Sequence, residues 1–167
     1  MKKIMMIAAM MIMTIAASAQ DGKMAAGVNV NYGTSSDYSN LGFGAKFQYE
    51  FLENVRGEVS GNYFLPKDDV YIWDLNLNFH YLVGLGEKAN VYPLVGLTYM
   101  TSALSGDLKK AADAVGADTS DGNIGFNAGA GIEYFISEKF KVNAEVKYQY
   151  VKDGDWLVFG IGAAYVF

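Results

Sequence analysis

The chain has 167 residues with 18 Asp plus Glu against 13 Lys plus Arg, a formal net charge of −5, no Cys and two Pro. That length suits one domain. The acidic balance disfavours nucleic acid as a partner, and without cysteine neither a disulfide framework nor a Cys-based zinc site can form.

Residues 1–19 stand apart. Met1-Lys2-Lys3 is a basic start, Ile4 to Ala16 is apolar apart from Thr14, and Ala17-Ser18-Ala19 offers small residues before Gln20. This pattern predicts a secretory signal peptide cleaved after Ala19. Residues 20–167 are then the mature domain, more acidic for the loss of Lys2 and Lys3. Beyond Gln20 no apolar run approaches the ~18 residues of a membrane helix. A mature chain that enters a membrane must therefore do so as strands.

Eight alternating segments of roughly ten residues follow, the length that a tilted strand needs to cross a bilayer. Met24–Gly33 sets Ala26, Val28, Val30 and Tyr32 against Gly27, Asn29 and Asn31. Leu41–Phe51 sets Phe43, Ala45, Phe47 and Tyr49 against Lys46, Gln48 and Glu50. Val55–Phe64 sets Val55, Val59 and Tyr63 against Arg56, Glu58, Ser60 and Asn62. Tyr71–Leu82 sets Trp73, Leu75, Leu77, Phe79 and Tyr81 against Asp74, Asn76, Asn78 and His80. Val91–Met100 is less regular, with Tyr92, Leu94, Gly96 and Thr98 on its second face; Pro93 removes a ladder donor and predicts a bulge there. Ile124–Phe135 sets Phe126, Ala128, Ala130, Ile132 and Tyr134 against Asn127, Gly129, Gly131 and Glu133. Phe140–Tyr150 sets Val142, Ala144, Val146 and Tyr148 against Lys141, Asn143, Glu145, Lys147 and Gln149. Trp156–Phe167 closes the series, with Leu157, Phe159, Ile161, Tyr165 and Phe167 opposite small residues and Val158. Period-two alternation throughout predicts strands.

The connections alternate as well. Leu52-Glu53-Asn54, Gly84 to Asn90 and Ile136 to Lys139 are compact; Thr34–Asn40, Leu65–Val70, Thr101–Asn123 and Val151–Asp155 form the second set. Short turns on one side and longer loops on the other are the habit of membrane barrels. Within the longest loop, Leu108–Val115 has the composition of a short helix. Charge pairing predicts the register of two hairpins, Glu50 facing Arg56 and Glu133 facing Lys141, with Tyr134 opposite Phe140.

Polarity then selects the environment. In a water-soluble barrel the bulky apolar face would have to crowd into an eight-stranded lumen, which holds a single filling of side chains. Turned outward, it meets lipid, and aromatic residues near both strand ends flank an aliphatic band as interfacial girdles do. The expected fold is all-β, an eight-stranded antiparallel up-and-down transmembrane β-barrel preceded by a cleaved signal peptide.

With its ASAQ signal ending, eight alternating strands, alternating connections and terminal Phe167, the chain resembles small bacterial outer-membrane β-barrels of the OmpX and OmpA-transmembrane-domain type. The resemblance implies location in the cell outer membrane, with outer-membrane lipids and lipopolysaccharide as neighbours. It also implies handling by periplasmic chaperones and the barrel-assembly machinery, with Phe167 in the assembly signal. It does not carry over a peptidoglycan-binding role, since no second domain follows the barrel in this sequence.

The inward face supplies the candidate site: Lys46, Gln48, Glu50, Arg56, Glu58, Asp74, Asn76, Asn78, His80, Glu133, Lys141, Asn143, Glu145 and Lys147. Four cations stand against five acids. Read functionally, they form an ion-selective constriction; read structurally, they are a paired filling. The structural reading is preferred, giving a non-enzymatic barrel with a structural or surface-interaction role and a narrow, side-chain-filled lumen. A small-solute channel is the alternative. A lipid-modifying enzyme is a distant third, since His80, the sole histidine, would face inward near the turn end, with Ser60 its nearest plausible hydroxyl. No metal or cofactor is expected. The acidic loops suit solvation, and the loop 101–123 is where an extracellular ligand would bind.

Overall fold

The structure is a computed structural model that describes residues 23–35, 39–67, 70–104, 120–152 and 155–167. The signal peptide, Ala19 and the Leu108–Val115 segment lie outside these residues. Eight long strands carry the chain: β1 (Met24–Thr34), β2 (Ser39–Leu52), β3 (Val55–Lys67), β4 (Val70–Tyr81), β5 (Ala89–Leu104), β6 (Ser120–Ser137), β7 (Phe140–Val151) and β8 (Trp156–Val166). Each pairs antiparallel with its neighbours in sequence, and β1 pairs with β8 from Ala25↔Val166 to Thr34↔Leu157, which closes the sheet into a barrel. No helix is present among the described residues.

The alternation read from the sequence is the alternation of the wall. Val28, Val95 and Ile161 are 65%, 62% and 66% exposed on the outside, whereas Arg56, Asn78 and Gln149 on the inside are 1%, 0% and 0% exposed. Aromatic contacts gather at both ends of the outer surface. At the turn end, Phe51 meets Phe79 edge-on at 6.3 Å and Tyr165 meets Phe140 at 5.1 Å. At the loop end, Trp73 meets Tyr99 at 5.8 Å and Phe126 stacks on Tyr150 at 5.5 Å.

Of the two hairpin registers, the first is as expected and the second is not. Glu50 pairs with Arg56, across a two-residue turn and a shift between Glu50 and Leu52. Asn54 in that turn has φ 65°, a left-handed conformation that Asn tolerates. In the second hairpin Glu133 pairs with Asn143, Tyr134 with Val142 and Phe135 with Lys141, because the chain turns between Ser137 and Phe140 with a shift at Ile136. Nor does Pro93 make a bulge: it pairs in register with Ala130. Its missing N–H instead coincides with a gap in the opposite ladder. The β4–β5 pairing stops at His80↔Leu94, and a two-residue piece, Val83–Gly84, resumes pairing at Val91 and Asn90. The longest connection is also shorter than expected. The β5–β6 ladder runs to Ala103↔Ser120, so both ends of the expected loop 101–123 are strand.

Candidate functional site

The inward side chains bond to one another in layers. At the turn end, Arg56 of β3 donates through Nη1 to Glu133 Oε2 at 2.7 Å. Lys141 Nζ donates to the same oxygen at 3.0 Å, and Asn90 Nδ2 to Glu133 Oε1 at 3.0 Å. The charge match expected for Glu133 and Lys141 is therefore made diagonally, two residues away from the expected register. Glu50 pairs with Arg56 in the ladder while Arg56 itself reaches across the barrel. Arg56 Nε and Nη2 also lie 3.2 and 3.0 Å from His80 Nδ1. The His80 ring stacks on Tyr92 at 4.6 Å, and the guanidinium lies 5.0 Å from the centre of the same Tyr92 ring. Gly131 makes this possible, since a Cβ there would strike the Tyr92 ring. Leu82 and Leu94 complete the packing around Tyr92.

The middle layer is polar. Tyr92 donates to Glu145 Oε2 at 3.2 Å, Gln48 to Glu58 Oε2 at 2.7 Å and Lys46 Nζ to Asn143 Oδ1 at 2.7 Å. Lys46, Glu58, Glu145 and Lys147 border a cavity of about 10 Å³, with Ser60 and Asn29 among its other walls. That is the room one water molecule needs.

Above it, Asp74 accepts from Asn62 at 2.6 Å, Asn76 at 2.7 Å and Gln149 at 3.3 Å. Gln149 also donates to Asn76 and Thr98, and Asn127 to Asn76 and Asn78, so amides from several strands are tied wall to wall. Asp74 is thus held by amides rather than by a cation. The remaining acids, Glu50, Glu58, Glu133 and Glu145, equal Lys46, Arg56, Lys141 and Lys147 in number.

An apolar layer lies toward the loop end. Phe64, Ile72, Met100, Val151, Trp156 and Val158 form one buried cluster inside the wall. The sequence reading missed this cluster and the Leu82–Tyr92–Leu94 cluster as lumen contents. The signal was present in parity, since Phe64 continues the inward series of Arg56, Glu58, Ser60 and Asn62, and Val158 stands on the small-residue face of β8. Phe167 lies at the turn end, 70% exposed, with its N–H donating to Met24 O at 2.9 Å.

One grouping has the composition of a metal site. Ligand atoms of Glu58, His80 and Glu145 lie within 4.8 Å of one another, and His80 Nε2 is buried with no hydrogen-bond partner among the described residues. The tautomer argues against a metal. Arginine can only donate, so His80 Nδ1 accepts from Arg56 and the ring proton sits on Nε2, where the ion would need a lone pair. A ligating histidine normally turns its other nitrogen, as N–H, to an acceptor; here that nitrogen faces a guanidinium. Lys46 and Lys147 already border the same carboxylates. The same bond removes His80 as a general base toward Ser60, which lies farther along the neighbouring strand opposite Asn76.

Comparison with known proteins agrees with this architecture. Residues 5–167 match the family model described as outer membrane protein beta-barrel domain. No curated protein sequence matches the chain. Among solved structures, the N-terminal barrel of OprF from Pseudomonas aeruginosa is similar with a TM-score of 0.66 at 20% identity, covering 88% of this chain and 100% of that one. Neisserial surface protein A gives 0.65 at 17% identity, covering 87% and 97%. Ail, the attachment invasion locus protein of Yersinia pestis, gives 0.62 at 18% identity, covering 87% and 97%. At these identities the likeness is one of fold.

Proposed function

The chain belongs to the outer membrane protein β-barrel domain family, and from that membership we propose a non-enzymatic outer-membrane barrel with a structural or surface role and a lumen closed by its own side chains. In this reading the signal peptide is removed after Ala19, the turn end faces the periplasm and the loop end faces outward. Outer-membrane lipids and lipopolysaccharide surround the apolar band. Periplasmic chaperones and the barrel-assembly machinery deliver the chain, the latter reading the exposed Phe167.

The observation that carries this proposal is the cross-lumen bonding. Arg56 to Glu133 and Gln149 to Asp74 span side chains far apart in sequence, and the largest inward residues are almost wholly buried. A conducting lumen needs continuous hydrated space, whereas the cavity at mid-barrel has room for about one water.

Planar-bilayer recording of the refolded mature protein tests it. Folded protein is expected to leave the bilayer silent. Discrete steps altered by Arg56→Ser or Lys46→Ser would establish the small-solute channel instead.

A surface role falls to the loops. The Ail structure has been obtained with the heparin analogue sucrose octasulfate, but the longest connection here, 105–119, carries Asp107, Asp113 and Asp118 against Lys109 and Lys110. An extracellular ligand for this connection is accordingly neutral or cationic. Exchanging residues 106–116 for a Gly-Ser linker should abolish any such surface binding while leaving the barrel folded. Binding that survives the exchange places the role elsewhere.

A further inference from the structure

The loop-end cluster is the stretch of the lumen built without charge. Phe64 and Trp156 bring their rings to 5.5 Å at a tilt of 52°, and Ile72, Met100, Val151 and Val158 pack around them. Two positions without side chains make room: a Cβ at Gly42 would strike Phe64, and one at Gly33 would strike Trp156. Directly beneath lie the amides bonded to Asp74 and, farther down, the water-sized cavity. The turn end is closed by different chemistry, the Arg56–Glu133–Lys141 ion pairs with Tyr92.

We propose that the Phe64–Trp156 cluster is a dewetting seal, which keeps water and ions arriving from the loop end out of the polar chamber. This rests on the closed-lumen reading above and adds to it a location and a mechanism. An apolar constriction offers an ion nothing to replace its hydration shell, and water leaves such a gap. The charged layers cannot act in this way, because carboxylates and ammonium groups hold water rather than expel it. Position gives the seal a second property. Val151 is the last residue of β7 and Trp156 the first of β8, while Phe64 stands near the loop end of β3. A change at the roots of these connections reaches the chamber through the seal.

Thiol accessibility tests the proposal. The chain has no cysteine, so Thr98→Cys places a single reporter directly beneath the seal, two residues before Met100 and at a site 2% exposed. The probe is the impermeant cation methanethiosulfonate ethyltrimethylammonium, added to protein refolded in phospholipid vesicles. Heat-dependent gel mobility confirms folding, and Ser102→Cys, at an exposed position near the loop end of β5, is the accessible control. With the seal intact, the thiol introduced at position 98 is expected to be protected. Adding Trp156→Ala should raise its modification rate by about tenfold or more. If Trp156→Ala does not fold, Phe64→Ala replaces it with the same expectation. Protection that persists in the folded seal variants overturns the seal and leaves the closed lumen standing. Rapid modification with the seal intact overturns both.

Discussion

Arg56 donates to Glu133, donates to His80 and lies against the face of Tyr92, so three neighbours depend on one side chain. Removing it leaves Glu133 buried with only Lys141 as a cationic partner among the described residues. Breaking a buried pair from one side costs about 3–5 kcal/mol, whereas replacing both partners is far milder. Glu133→Gln should therefore lower the denaturant midpoint of unfolding strongly, because it strands both Arg56 and Lys141, and adding Arg56→Met with Lys141→Met should recover much of the loss. Comparison of the single, double and triple variants in lipid measures it; strictly additive losses would mean that the three side chains do not act as a unit. Gly131 belongs to the same account. Gly131→Val intrudes on the Tyr92 ring, and overpacking of this kind costs about 1–3 kcal/mol. The same unfolding assay reads that change.

At the scale of the strand, the outward face answers to lipid. Ile161 of β8 is 66% exposed in the aliphatic band, so Ile161→Arg should cost about 2–4 kcal/mol, as a cation at the bilayer midplane does. Unfolding in phospholipid vesicles checks it, and an effect near zero would put this face against something other than lipid. The strands were legible because the period is two and the two faces differ so sharply in chemistry. Val28 and Asn29, or Leu77 and Asn78, declare opposite sides without any help from context. What was not legible has physical reasons. Glu133 and Lys141 attract each other equally well directly opposite or along a diagonal, so charge alone does not distinguish the two registers, and the shift at Ile136 decides. The stretches Thr101-Ser102 and Ser120-Asp121-Gly122-Asn123 carry no apolar–polar alternation, so the ends of β5 and β6 read as loop. Phe64 and Trp156 stand near strand ends, where aromatics of a membrane barrel usually face lipid, yet their parity turns them inward.

For the molecule as a whole, closure is what makes the arrangement stable in lipid. Every wall strand has two neighbours, so its backbone groups are satisfied without water. The folded barrel should therefore survive in dodecyl sulfate without heating and shift in gel mobility only after boiling. A single band at one position under both conditions would contradict a closed barrel. The candidate site is also a property of the whole: Arg56 and Glu133, or Gln149 and Asp74, come from strands that face one another only across the closed ring. The sequence names these residues as inward, but it does not say which will touch.

The seam between β1 and β8 has a kinetic meaning. Seven of the eight junctions in the wall can form by local zippering, strand upon following strand. The eighth joins residues 25–34 to 157–166, near opposite ends of the described chain, and must bear the entropy of closing the longest loop available. Until that junction forms, the sheet has two naked edges in hydrocarbon, each offering amides that nothing else in the bilayer can satisfy. Insertion and ring closure are therefore coupled steps, and a half-inserted open sheet is the species that aggregation or proteolysis would remove.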